Sequence, residues 1–469
     1  MPKGLKNCLK AAFYMLMSFL PLSWISITHV SSNVKYDDSN FKLFHLSLVP
    51  LLMACLYSSY RLKVAAFVKK YRLLIGSFLL LMIMNFISTG VNETVSPLAA
   101  MYIVKNLIYF TFFILFAGMC LMLFELDEKI KIISSGAFLS VCVFIVVTTF
   151  TYKDGIYIVE LVKNFATGNI MGLRYGLFKN LYNGGALERD SDFATALINT
   201  ITGSFIFAHF LALYAYYNSP SRFYKILNII TLIFSFFFVI SSISRSNIIA
   251  IVFGYFCYWG LEIVFNKNMK IVFSLLGGFI VLTLITILIL SSSGAQQALS
   301  GTSAMYQQRF GDLDENVRWQ MNSQALQIVF SNPKSLFFGL GSGALLYSNQ
   351  YSFISNDKSI HNFIIGSTYQ AGIFGLVLSC MFYFTQLFCL IKYAPILSRY
   401  KKVFVITGVM SVPLIRQMES GNSGSLTLQE WFCLAFFLGF VLSTLNISSE
   451  KRSIRLTSNG FVAKSLLQT

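Results

Sequence analysis

Long uninterrupted apolar runs constrain this sequence more than any other feature in it. The stretches from Thr111 to Phe124 and from Thr231 to Ile240 carry no charge at all. Hydrocarbon offers no water to backbone N–H and C=O groups, so only helices and closed barrels cross it. Barrel strands alternate lipid-facing and lumen-facing residues over segments of about ten residues. These runs do not alternate, and many reach the roughly 20 residues that a spanning helix needs. Composition agrees: 12% of residues are charged and 56% hydrophobic, with 47 Phe. A soluble domain carries about 25% charge, so too little is left here to cover a water-facing surface. The expected fold is therefore all-α, a polytopic membrane protein formed by one domain over residues 1–469. Twelve spans are predicted, at 11–30, 43–60, 72–90, 100–124, 130–152, 193–216, 225–243, 247–265, 270–291, 362–391, 402–418 and 430–447.

The charge pattern gives the spans a direction. Lys3, Lys6 and Lys10 precede the first run as in a signal peptide. That run is too long for a signal h-region and lacks a cleavage site, so it reads as the first span. Placing the N-terminus in the cytoplasm puts Lys and Arg in every second connection: Arg61, Lys63, Lys69, Lys70 and Arg72, then Lys129 and Lys131, Arg222 and Lys225, Lys267 and Lys270, Lys392, Arg399, Lys401 and Lys402, and the C-terminal segment. The short connections on the other side are nearly bare. By the positive-inside rule both termini are cytoplasmic. The net charge of +17 is thus topology control, and nucleic-acid binding is excluded. Eight cysteines, mostly inside apolar runs and without a CxxC pair, read as small packing residues.

Two outer connections are long, 153–192 and 292–361. Long loops in compact proteins are functional or disordered, and neither is low-complexity. The second contains a helical stretch, 315–330, with Val317, Met321, Ala325 and Ile328 at helical spacing. It ends near Gly339-Leu340-Gly341-Ser342-Gly343, which follows no apolar strand, has no adjoining Lys, and reads as a turn rather than a nucleotide loop.

Few residues can carry chemistry. His361 follows a polar stretch and opens a predicted membrane helix, with Ser359 or Asp357 as its N-cap. The positive end of a helix dipole favours neutral imidazole, the form that accepts a proton. His29, His45 and His209 lie in or beside apolar runs and read as packing or interfacial residues. Arg245, in Ser244-Arg245-Ser246, works against the positive-inside bias; it either faces a cavity or snorkels to headgroups. Arg318 lies on the loop helix, and Arg174 and Arg189 in the first long loop. Lys105 and Arg416, near outer ends of spans, read as snorkelling. Arginine holds phosphate through a planar fork that stays charged. Several arginines and one neutral histidine on one side of a membrane suggest a reaction with a diphosphate leaving group. No HExxH, Walker A or Cys/His metal spacing occurs.

The stretch from Arg318 to Gly343, RWQMNSQALQIVFSNPKSLFFGLGSG, and that from His361 to Gly375, HNFIIGSTYQAGIFG, resemble the O-antigen ligase and O-antigen polymerase superfamily, as does SSISRSN around Arg245. The ligase pattern is His, then Asn, Ser or Gln, nine residues, Gly, two residues, and Gly, Thr or Tyr. His361, Asn362, Gly372 and Gly375 meet it. The similarity covers mainly residues 190–380. It implies a GT-C-like helical glycosyltransferase in the inner membrane of a Gram-negative bacterium. Such an enzyme is inverting, metal-independent and without a cofactor. Its partners are an undecaprenyl-diphosphate-linked glycan and an acceptor. A ligase transfers to lipid A-core, whereas a polymerase transfers to a second lipid-linked repeat unit. The resemblance implies His361 as base, and Arg318 and Arg245 as diphosphate ligands. Arg174 is a further candidate with Arg189 as its rival, because the sequence after Arg174 departs from the family pattern. Ligase is the favoured expectation. Polymerase is the alternative, since Arg174 and Gly185 show a polymerase-like spacing. A secondary transporter or flippase is the alternative of another class.

Overall fold

A computed structural model describes residues 1–22, 42–93, 97–151, 191–242, 244–266, 314–342, 360, 362–398, 404–419 and 426–445. Among these residues the chain is all-helical, without a strand. We number its helices α1 (Lys3–Phe19), α2 (Leu48–Ala54), α3 (Ser58–Lys70), α4 (Arg72–Val91), α5 (Pro97–Leu123), α6 (Lys129–Thr151), α7 (Ser191–Asn218), α8 (Arg222–Ser241), α9 (Arg245–Asn266), α10 (Asp314–Phe330), α11 (Pro333–Phe338), α12 (Phe363–Ser398), α13 (Ser411–Glu419) and α14 (Leu428–Leu445).

Several helices turn an apolar face outward and bury polar side chains among the hydrophobic core. On α8 the exposed positions include Phe223, Ile226, Ile229, Ile233 and Phe236, while Asn228, Thr231 and Ser235 are buried. On α12 Phe374, Val377, Met381, Phe384, Phe388 and Ile391 face outward, and Ser379 and Gln386 face inward. The outward stripe repeats every three to four residues, which is one helix face. Water would penalise such surfaces at roughly 25 cal/mol per Å²; lipid does not. Seven helices are long and apolar enough to cross a membrane among the described residues: α4, α5, α6, α8, α9, α12 and α14.

Several expected spans differ in form. The span expected at 43–60 is broken: α2 and α3 meet at 110°. Helix α3 carries Arg61, Lys63, Lys69 and Lys70 in 13 residues. That charge is costly in hydrocarbon, and Lys63 pairs with Glu125 just beyond α5. The helix expected at 193–216 is present as α7, Ser191–Asn218. Its residues from Ile201 to Ala215 are buried all round, so it tolerates Thr202, Ser204 and His209. It packs against α6, α8 and α9 at the centre of the bundle. The span expected at 402–418 is a 3-10 stretch, Phe404–Met410, continued by α13. Residues 270–291 lie outside the described set, as do residues 23–30 of the first expected span.

An aromatic core ties α4, α5, α12 and α14 together. The Trp431 ring lies 4.6 Å from Phe78, 4.9 Å from Phe113 and 5.7 Å from Phe382. At one end of the bundle, Glu128 pairs with Lys6 at 2.5 Å and Lys10 at 2.7 Å. Together with Lys63–Glu125, these pairs gather three of the segments that charge counting assigns to one side. Lys10 and Lys6 hold the Glu128 carboxyl down at about 2.

Candidate functional site

Helix α12 doubles back on itself. Its backbone leaves helical geometry at Ala371 and at Gly372, where φ is 61°. Phe363 and Phe382 would stand about 28 Å apart along a straight helix at 1.5 Å per residue, yet their rings are 5.8 Å apart. A short arm, residues 363–370, therefore lies against the long arm, residues 373–398. Gly375 permits the close return, because a Cβ there would stand 2.0 Å from the Ser367 carbonyl oxygen.

The tip of this hairpin receives the chain that follows α10 and α11. A helix break strips carbonyls of their partners, and such groups must be satisfied where water is absent. Leu340 N–H donates to Tyr369 O and Gly341 N–H to Gln370 O, each at 2.9 Å. The end of α4 completes the junction. Ser88 Oγ donates to Gln370 O at 2.5 Å, Asn92 Nδ2 to Gly339 O at 3.1 Å, and Thr89 Oγ1 accepts from Ser342 N–H at 3.1 Å. Backbone meets backbone here. A Cβ on Gly372 would lie 2.4 Å from Leu336 O, and one on Gly339 would lie 2.5 Å from the Gln370 carbonyl carbon. Within the turn expected at 339–343, residues 339–342 thus form a docking loop, and Gly372 and Gly375 are the positions that let the hairpin close.

The base of the short arm lies among buried polar groups. Asn362 is the N-cap of α12: its Oδ1 accepts from Ile365 N–H at 3.0 Å, and its carbonyl accepts from Gly366 N–H at 2.8 Å. This corrects the expected cap at Ser359 or Asp357. The helix opens at Phe363, one residue later than the expected start at 362, because the asparagine side chain itself supplies the cap. Asn362 Nδ2 also donates to Met418 O at 3.1 Å. Beside it, Gln386 and Gln417 exchange amide hydrogen bonds at 3.2 and 3.0 Å. Arg416 Nε stands 3.6 Å from Glu430 Oε1, with both side chains at most 2% exposed. Arg416 is therefore a buried, paired charge rather than a snorkelling one.

The expected site residues distribute as follows. Arg245 opens α9 and Arg318 lies in the first turns of α10; their backbones are described and their side chains are not. Both helices pack against α12. Ser244 and Ser246, on either side of Arg245, are buried, and Asn247 Nδ2 donates to Ser244 Oγ at 3.2 Å. Ile360 is buried in a cluster with Ala325 and Val329 of α10 and with Tyr369. Hence the chain on one side of His361 packs on α10, and that on the other side bonds to α13. His361 itself, Arg174 and Arg189 lie outside the described residues. His209 is a packing residue with satisfied nitrogens, Nδ1 at 3.0 Å from Ser235 Oγ and Nε2 at 2.5 Å from Tyr255 OH. All eight cysteines are free. Sequence reasoning missed the Arg416–Glu430 pair. The available signal was an ionisable residue in each of two neighbouring apolar runs.

No protein-family model matches this chain, and no curated protein matches it.

Proposed function

We propose that the protein is a membrane glycosyltransferase of the O-antigen ligase type, built on a GT-C-like helical fold. It moves a glycan from undecaprenyl diphosphate to a sugar hydroxyl of lipid A-core, on the periplasmic face of a Gram-negative inner membrane. His361 takes the proton of the attacking hydroxyl. The bond between the anomeric carbon and the diphosphate oxygen breaks as the new glycosidic bond forms on the opposite face. Arg318, Arg245 and one of Arg174 or Arg189 stabilise the charge that gathers on the leaving diphosphate.

One observation carries this reading. Of the two sequence segments that bear the resemblance, the described parts, residues 318–342 and 362–375, pack together, with glycines where backbone touches backbone. The helices carrying Arg245 and Arg318 each pack against the helix that follows His361. The spacing of Arg174 and Gly185 favours a second reading, an O-antigen polymerase.

Lipopolysaccharide gels of a deletion strain separate the two. Loss of a ligase leaves core without O-antigen, and loss of a polymerase leaves core with a single repeat. An unchanged ladder refutes both. His361→Ala is expected to abolish transfer at unchanged membrane level. Near-wild-type transfer by the purified variant would remove the base assignment.

A further inference from the structure

We infer that the buried Arg416–Glu430 pair is a positioning element, which fixes the start of α12 through Asn362 and so sets the geometry of His361. This inference rests on the function proposed above. The pair lies deep in the bundle. Glu430 precedes Trp431, whose ring contacts Phe78 and Phe382 in the core. Gly203 of the central helix α7 lies against the Arg416 guanidinium, where a Cβ would stand 2.4 Å from Nη1. Charges inside membrane helices are costly and as a rule serve function. A buried ion pair also adds little net stability over apolar residues of the same volume; its best-attested use is to fix one arrangement among several.

The arrangement fixed here is specific. Arg416, Gln417 and Met418 are consecutive on the last turn of α13. Arg416 is held to α14 by Glu430, and Glu430 Oε2 is itself oriented by Thr427 N–H at 2.7 Å. Gln417 is held to the long arm of α12 by Gln386. The next residue offers its carbonyl to Asn362 Nδ2. One turn of α13 thus joins α14, the long arm and the base of the short arm. A shift of the Arg416 turn moves the carbonyl that anchors Asn362, the neighbour of His361. Misplacing a catalytic group by about 1 Å costs on the order of 10²-fold in rate.

The test uses the purified full-length chain in liposomes with an undecaprenyl-diphosphate-linked glycan and lipid A-core. A single Arg416→Met change leaves a buried unpaired carboxylate and is expected to misfold, so the informative variant is Arg416→Met with Glu430→Leu. It is expected to keep the wild-type melting temperature and donor KM while kcat falls at least about tenfold. Asn362→Ala is expected to lower kcat in the same way at unchanged donor KM, with the added stability loss of its missing cap, and the triple variant to be no slower than the slower parent. Wild-type kcat in the double variant, or losses that multiply in the triple, would overturn the inference. A second measurement is independent of turnover: cross-linking of Phe363→Cys to Phe382→Cys in a background freed of native cysteines. If the wild type transfers no glycan, the proposed function fails alone. Reduced cross-linking in the double variant then still upholds the positioning of the short arm, and unchanged cross-linking overturns it.

Discussion

Gly372→Ala is the sharpest probe of the α12 hairpin. At φ 61° and ψ −143° the residue occupies a region of backbone space that is nearly closed to side chains. Holding a non-glycine residue there costs about 1–3 kcal/mol. The new methyl would lie 2.4 Å from Leu336 O and 2.6 Å from the Phe337 carbonyl. Both are backbone atoms and cannot swing aside as a side-chain tip would. Relieving that overlap moves α11 off the hairpin, an overpacking cost of about 1–3 kcal/mol. The sum, about 2–6 kcal/mol, is a large part of the 5–15 kcal/mol by which folded domains are typically stable. The assay is thermal melting in detergent with a thiol-reactive fluorogenic dye, since Cys120, Cys257 and Cys433 are buried and free. Gly76→Ala is the control. Nothing lies within 4 Å of its added Cβ, and alanine in a helix interior gains about 0.5–1 kcal/mol over glycine. A melting temperature for Gly372→Ala equal to wild type would refute the backbone-contact argument.

Two further outcomes follow from the same structure. Asn362→Ala removes both the cap on Ile365 and the donor to Met418 O, and is expected to cost about 0.5–2 kcal/mol. Asn362→Asp keeps the cap and loses only the donor, so its melting temperature should lie between those of the alanine variant and wild type. At the opposite end of the bundle, the Glu128 carboxyl titrates at about 2 rather than its ordinary 4.5. A depressed carboxylate contributes its full stabilisation above the ordinary value and loses it as pH falls through the depressed one. The difference in melting temperature between wild type and Glu128→Gln should therefore be constant above pH 4.5 and vanish near pH 2. A difference that persists at pH 2 would show that the pairs with Lys6 and Lys10 are not its source.

The helices themselves were legible in the sequence because lipid imposes a simple rule. Every backbone group must be paired within its own segment, so apolar runs of sufficient length mark α4, α5, α6, α8, α9 and α14 directly. Charge counting also grouped the segments of Lys6, Lys63 and Glu128, which the ion pairs bring together. The helix over 315–330 was visible from its spacing and is α10. The run at 43–60 departs from that rule, because it continues into a basic helix that turns away.

What only tertiary structure decided concerns contacts between segments far apart in the chain. The motif glycines Gly372 and Gly375 look alike in sequence. One permits a left-handed turn under α11, and the other admits the Ser367 carbonyl. Nothing local distinguishes them, because the atoms that would clash come from Leu336 and Phe337 of α11 in one case and from the preceding arm in the other. In the sequence Arg416 reads as a snorkelling cation, and nothing links it to Glu430 at the start of the next apolar run. Their pairing, and the path from them to Asn362, exists only because α13, α14 and the folded arms of α12 meet at one level of the bundle. Hydropathy along the chain specifies which segments leave water. The partners that buried polar groups find after leaving it depend on how the helices pack, and that is settled in three dimensions.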